Sequence, residues 1–177
     1  TIYDGPLLVL INGQSASASE LTSAFLQDYN RALIVGSTTY GKGTAQIVLP
    51  LDTTLNILLR KHDNYPDFVK VTCEKFYRVN GNTTQWEGVI PDIALPDIYN
   101  DETLREKTRP SALLPDQSKK AIYQPLPALP VPALRGKSIA RTETDPAFLL
   151  IQKFSKWLKA SRQSMDIPLQ WSSYASY

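Results

Sequence analysis

The sequence has one cysteine, Cys73, one histidine, His62, and a net charge of only +2 at pH 7. A single cysteine excludes an internal disulfide and leaves the redox compartment undecided. A single histidine restricts imidazole chemistry to one place, and His62-Asp63-Asn64-Tyr65-Pro66-Asp67 reads as a polar surface turn. A charge so near zero gives no reason to expect nucleic acid or an anionic membrane as partner. Also missing are an apolar run approaching the roughly 20 residues that span a bilayer and an N-terminal secretory signal. Thr1 is not an initiator Met, and a buried-type strand follows within a few residues. The chain is therefore expected to be a piece of a longer protein, with any export signal upstream. What is present, 177 residues of which 42% are hydrophobic and 20% charged, suffices for one core and a small appendage.

Residues 7–11, Leu-Leu-Val-Leu-Ile, form a continuous apolar run, as expected of a central parallel strand buried on both faces. Asn12-Gly13 breaks the run. Ser17-Ala18-Ser19-Glu20 then matches the S-x-x-E capping box, with Leu21, Ala24, Phe25 and Leu26 as the apolar side of a helix ending near Tyr29-Asn30. A second buried-type strand spans residues 32–35. The loop 37–43 leads to a third run from Thr44 to Leu49. The first three elements predict a right-handed parallel strand–helix–strand unit. Residues 69–79 alternate, with Val69, Val71, Cys73, Tyr77 and Val79 on one side, and Asn80-Gly81 is a hairpin signal. Residues 88–96 read as an edge segment, because Pro91 cannot donate to a central ladder.

Beyond Asp97 the composition turns polar. Residues 125–132, Pro-Leu-Pro-Ala-Leu-Pro-Val-Pro, read as a stiff polyproline-like linker rather than a docking ligand. Asp145-Pro146 is a cap followed by Pro at the first helical position. Phe148, Ile151, Phe154 and Leu158 share a face, with Lys153, Lys156 and Lys159 largely opposite, so a packed helix with a solvated lysine face is expected. The expected division is 1–98 as the C-terminal part of a catalytic domain, 99–132 as linker, and 133–177 as a helical extension.

Ser17 lies where the first strand hands over to its helix, and Lys42 lies just beyond the C-terminal end of the second strand. In an open parallel sheet, sites form outside the carboxyl ends of the strands, so the connection brings the two together across 25 positions. A serine needs an adjacent base to become a nucleophile. No G-x-S-x-G elbow is present, and His62 is poorly placed to be that base. A lysine can serve when burial strips water from its ammonium and a helix N-terminus points nearby. Gly41 and Gly43 would let the backbone pass close to substrate. The N–H of Ala18, in the first turn of the helix, could donate to an oxyanion. Each residue also has a plainer reading: Ser17 as an N-cap, Lys42 as an exposed loop lysine, and Glu20 as capping-box partner rather than acid or base. Gly36 to Gly43 approaches the P-loop pattern G-x-x-x-x-G-K-[ST]. It fails because Gly43 replaces the magnesium-binding Ser/Thr and because Ile47, Val48 and Pro50 read as strand where a helix is required.

Ser15-Ala-Ser17-Ala-Ser-Glu20, Leu26-Gln-Asp-Tyr29, Arg31-Ala-Leu-Ile-Val-Gly36 and Thr39-Tyr-Gly-Lys42-Gly-Thr-Ala-Gln46 together resemble the catalytic signature of the C-terminal processing peptidases. Lys75-Phe-Tyr-Arg-Val-Asn-Gly81 and Gly88-Val-Ile-Pro-Asp92 resemble the strands that follow it. Residues 141–151 are similar to the extension of the tail-specific protease branch. The resemblance implies an α/β, ClpP/crotonase-like core and serine endopeptidase activity. It makes Ser17, rather than Ser15 or Ser19, the nucleophile and Lys42 the base. Gln46 would orient the lysine, and the Ala18 amide would be half of an oxyanion hole. The other half, and a PDZ domain that grips the substrate's C-terminus, would lie upstream. Protein or peptide substrates with apolar C-termini, no cofactor, no metal, and a periplasmic or cell-envelope location in bacteria are further implications. Residues 53–70 depart from the family's usual short run. The alternative carried with this reading is a non-catalytic module on the same fold that binds apolar ligands or proteins. Retention of Ser17, Lys42 and Gln46 together argues against it.

Overall fold

The computed structural model describes residues 3–51, 67–163 and 169–175, so His62 and its turn lie outside the described residues. Strand β1 (Leu8–Ile11), helix α1 (Ala18–Asp28) and strand β2 (Leu33–Gly36) form the expected unit, with β1 and β2 parallel in the register Leu8 with Leu33 to Ile11 with Gly36. Strand β3 (Thr44–Pro50) and strand β4 (Phe68–Lys75) pair antiparallel as a separate ribbon, and strand β5 (Ile93–Ala94) adds parallel to β2, giving the order β1-β2-β5. Pro91 falls just before this two-residue strand, at the sheet edge where a missing N–H costs no ladder bond.

The core lies between the sheet and α1. Ile11, Ala24, Ala32, Ile34 and Val89 are buried there, with Leu7, Val9 and Leu26 packed against them. Side chains alternate across a strand, so Leu8 and Leu10 point to the opposite face. There Leu8 is 54% and Leu10 70% exposed. The expectation of a central strand buried on both faces is corrected: among the described residues β1 stands at the end of its sheet and has one covered face. The β3–β4 ribbon likewise leaves Ile47, Val48, Val69 and Val71 exposed, so the alternation of residues 69–79 marks a strand without a buried side. Asn80-Gly81 does make a turn. Arg78 N–H donates to the Asn82 carbonyl (2.7 Å) and Gly81 N–H to the Arg78 carbonyl (2.9 Å), with Gly81 at φ +92° and one bridge between Tyr77 and Thr83. This is the three-residue hairpin with glycine in the left-handed position. Arg78 also forks onto Asp28 and reaches Gln27 Oε1, pinning the turn to the end of α1.

Residues 99–130 lie on this body rather than spanning free. Two short 3₁₀ turns, Glu102–Leu104 and Glu106–Thr108, are followed by extended chain. Ser118 and Ala121 amides bond to Gly81 and Val79 carbonyls, and the Leu126 amide bonds to Tyr29. The linker reading is further corrected at its end, where helix α2 (Val131–Thr142) already begins. Pro132 falls in its first turn, where a missing N–H is tolerated. Helix α3 (Pro146–Gln163) opens on Asp145, whose carboxylate accepts the Ala147 N–H at 2.8 Å. Its half-buried positions are Phe148, Ile151, Gln152, Ser155, Leu158 and Ser161, whereas Phe154 is exposed and stacks on exposed Trp157 at 5.5 Å. A last short helix, α4 (Trp171–Tyr174), follows. No helix among the described residues is long and apolar enough to cross a membrane.

Candidate active site

The end of β1, the start of α1 and the loop after β2 meet at the carboxyl end of the sheet. Gly36, at φ +129°, sits so close to β1 that a Cβ there would lie 1.9 Å from the Ile11 carbonyl oxygen. The Ser37 hydroxyl donates to Asp97, and Gly13 N–H reaches the same carboxylate oxygen at 3.4 Å. The chain leaving β1 and the chain leaving β2 are thereby tied to one acceptor.

Ser17 is the residue before α1 and has φ 58° and ψ −117°. Among the described residues only Ser17, Asn30 and Trp86 combine a side chain with positive φ. Asn30 needs no special explanation, since asparagine tolerates the left-handed conformation past a helix end. Ser17 does, because strain of this kind costs about 1–3 kcal/mol and gathers at functional sites. The turn has the backbone character of the strand-to-helix elbow, a sharp and strained bend. It went unread in the sequence because Ser15 and Ser19 stand where the elbow motif has glycines. The Ser17 side chain makes no cap hydrogen bond. Its backbone does the capping: the Ser17 carbonyl accepts from Glu20 and Leu21 amides. The neighbouring hydroxyls are committed, since Ser15 Oγ accepts the Asn12 N–H at 3.1 Å and Ser19 Oγ donates to the Ala16 carbonyl at 2.8 Å. Ala18 opens the helix, where its N–H has no intrahelical acceptor.

Glu20 is wholly buried, and its carboxylate accepts four hydrogen bonds. Oε2 takes the Ser17 N–H (2.7 Å) and the Lys42 N–H (2.8 Å). Oε1 takes the Gly41 N–H (2.7 Å) and the Thr39 hydroxyl (2.5 Å). The capping-box contact to Ser17 is therefore one quarter of what this side chain does. The loop carrying Lys42 is held from its other side as well. Gly43 N–H donates to Oε1 of the fully buried Gln85 at 2.8 Å, the Gly41 carbonyl accepts the Trp86 N–H, and the Gly43 carbonyl accepts the Phe76 N–H. Gly41 and Gly43 serve this packing: added Cβ atoms would fall 2.7 Å from the Trp86 oxygen and 2.5 Å from the Gln85 nitrogen. The close approach these glycines allow within the chain is to residues 85–86.

The Lys42 side chain is half-buried and turns along β3, where Nζ donates to the Thr44 carbonyl at 2.7 Å. Gln46 Nε2 donates to the hydroxyls of Thr44 (2.8 Å) and Thr72 (3.3 Å), so its link to Lys42 runs through Thr44. Pattern singled out Glu20 only as a capping-box partner and gave Thr39 and Gln85 no part, because the contacts by which they hold the Lys42 loop span 19 to 50 positions. Among the described residues no cluster of His, Cys, Asp and Glu comes together that could hold a metal ion.

Residues 1–95 match Peptidase family S41. The chain belongs to that family. Among S41 relatives, it is 36% identical over 156 residues to the tail-specific protease of Haemophilus influenzae, covering 85% of this chain and 22% of that protein. It is 37% identical over 107 residues to the carboxy-terminal-processing protease of Bartonella bacilliformis, covering 57% and 22%. With the carboxy-terminal processing protease of Bacillus subtilis it shares 33% over 104 residues, covering 58% and 19%. The chain thus spans about a fifth of the length of these relatives. A solved photosystem II D1 C-terminal processing protease superimposes on 51% of the chain and 20% of its own length, with a TM-score of 0.41 at 36% identity.

Proposed function

We propose that this S41 chain carries the Ser-Lys core of a serine endopeptidase acting on proteins selected by apolar C-terminal tails. The observation that supports the reading most is the single oxygen, Glu20 Oε2, that accepts both the Ser17 and the Lys42 backbone N–H. One atom thereby fixes the two residues the chemistry requires. In the proposed reaction Ser17 Oγ attacks the scissile carbonyl carbon and its proton passes to the unprotonated Nζ of Lys42. The Ala18 N–H donates to the developing oxyanion. Collapse of the intermediate expels the amine, which takes the proton back from Nζ, and water then hydrolyses the acyl-enzyme. A neutral Nζ that spends one N–H on the Thr44 carbonyl keeps its lone pair for the serine proton, and Gln46 steadies Thr44 from its hydroxyl. The α/β unit would be the later part of a ClpP/crotonase-like domain, joined in the whole protein to a PDZ domain and a second oxyanion donor, and working in the bacterial periplasm or envelope.

The test is active-site labelling of the full-length protein with a fluorophosphonate, followed by peptide mapping, alongside turnover of a protein substrate by Ser17→Ala. Label on Ser17 and loss of essentially all turnover are expected. Label on Ser15 or Ser19, or appreciable cleavage by Ser17→Ala, would overturn the assignment. A folded protein that takes no label would favour the binding-module reading.

A further inference from the structure

We infer that residues 97–113 form a strap that sets the position of the Lys42 loop, holding it through Tyr40 on one side of the lysine and through Gln85 on the other. The inference rests on the Ser-Lys reading and goes beyond it. The strap lies outside residues 1–95, which match the family, and that reading gives it no part in the reaction. Three ties join it to the loops of the site. Asp97 accepts from Gly13 and Ser37, in the chains leaving β1 and β2. Just beyond, the Tyr99 carbonyl oxygen packs so near Gly13 that a Cβ there would lie 2.2 Å from it. In the second tie, Glu106 N–H donates to the Tyr40 carbonyl at 3.0 Å, while Tyr40 N–H donates to the Ser15 carbonyl at 2.9 Å. Tyr40 thus stands between the strap and the turn that carries Ser17. In the third, the Leu113 carbonyl accepts Gln85 Nε2 at 3.0 Å, and Gln85 Oε1 accepts the Gly43 N–H at 2.8 Å. Lys42 is therefore bracketed by one residue that the strap holds directly and one that it holds through a wholly buried side chain.

A strap positions a loop only if it is itself fixed. Buried Asp101 accepts from the amide and hydroxyl of Thr103 and from Arg162 of α3. Arg105, 8% exposed, donates to Asn100 Oδ1 at 2.7 Å. Between and beyond these anchors the chain is wound into its two 3₁₀ turns. The strap is also a poor apolar cover, since Leu104 and Leu113 are 41% and 47% exposed. What it offers the site loops is hydrogen bonds, which are directional and so specify position, whereas apolar burial is not. Small shifts matter here, because a misplacement of about 1 Å between reacting groups costs on the order of 10²-fold in rate.

Glu106 allows the second tie to be cut alone. Arg105 is extended, at φ −86° and ψ 165°, the backbone that a following proline favours. Glu106 is the first residue of its 3₁₀ turn, a position where proline fits. Glu106→Pro therefore removes the N–H given to Tyr40 and keeps the path of the chain, whereas Glu106→Ala keeps the N–H. Full-length wild-type, Glu106→Pro, Glu106→Ala and Gln85→Met proteins are compared by steady-state kinetics on one peptide, the rate of fluorophosphonate acylation of Ser17, and a thermal melt. Glu106→Pro should lower kcat and acylation about tenfold, the worth of one hydrogen bond, with KM changed less than about threefold. Glu106→Ala should match wild type. Gln85→Met, which severs Gly43 from Leu113, should lower kcat about 10²-fold. A folded Glu106→Pro protein with kcat and acylation within about threefold of wild type, even with a lowered melt, would overturn the inference and leave a labelled Ser17 and the Ser-Lys reading intact. So would a Glu106→Ala protein as slow as Glu106→Pro, since the loss would then belong to the side chain. If Glu106→Pro does not fold, Gln85→Met decides, and wild-type kcat there overturns the inference. A wild-type protein whose Ser17 takes no label overturns the dyad reading, and this inference with it.

Discussion

In the loop from Ser37 to Gly43, the amides of Ser37, Thr39, Tyr40, Gly41, Lys42 and Gly43 all donate to groups elsewhere in the fold. Helix α3 contrasts with it. No residue from 146 to 162 is buried, and a direct polar tie to the body is made near its end, where Arg162 meets Asp101 at 3.1 Å. A helix satisfies its own backbone and can dock with few outside contacts. A loop cannot, so it is fixed only if side chains such as Glu20 and Gln85 are buried to receive its amides. Positional accuracy in this chain thus comes from buried polar side chains, and the apolar core supplies the platform beneath them.

That contrast can be broken in three places. The largest effect is expected at Lys42. Lys42→Arg keeps the backbone bonds of the loop, but a guanidinium stays protonated and cannot accept the serine proton. Turnover by the full-length variant should fall by at least about 10³-fold, in the range seen when a member of a nucleophile–base set is lost, while the melting curve stays close to wild type. Substantial activity in Lys42→Arg would remove lysine from the mechanism. Next is the strain at Ser17. Ser17→Gly should abolish turnover yet raise stability by about 1 kcal/mol, the released strain exceeding the entropy glycine adds to the unfolded chain. Denaturant titration reads this directly, and a destabilised Ser17→Gly would show that the surrounding bonds, not the residue, set the turn.

The smallest effect belongs to α3. Burial pushes the Asp101 carboxyl up, but the hydroxyl and amide of Thr103 and the guanidinium of Arg162 outweigh it and hold the carboxyl below its ordinary value. A carboxyl lowered in the folded state adds stability above its unfolded value, and that stability is lost as pH falls through the folded one. Arg162→Ala should therefore cost no more than about 0.5–1 kcal/mol near neutral pH, because the arginine is partly exposed. The difference from wild type should shrink below about pH 4. An unchanged difference at pH 3 would place the contribution of Arg162 in packing rather than charge.

The sequence made the β1–α1–β2 unit, the edge role of residues 88–96, the turn at Asn80-Gly81 and the Asp145 cap legible, since each depends on neighbours within a few positions. It misjudged β1, because a run of five apolar residues records what a strand tolerates on both faces, not what covers them. It took residues 125–132 for linker throughout, because proline at a helix start and proline in an extended strap look alike. That Ser17 and Lys42 would come to the same end of the sheet was visible through topology, and their backbone amides do meet on one Glu20 oxygen. The strain at Ser17 was hidden because serines replace the glycines that usually mark such turns. The hold of Thr39 and Gln85 on the Lys42 loop was invisible because a buried polar side chain leaves no periodic trace.

The four hydrogen bonds to Glu20 carry one more consequence. A carboxylate offers about four lone-pair directions, and here a donor sits on each oxygen twice over. Glu20 is saturated: it lies within one helical turn of Ser17, but it has no acceptor site left to receive a proton. Two acceptors close to the nucleophile would give its proton two destinations. Saturating one of them leaves a single route, and in the proposed mechanism that route ends on Lys42.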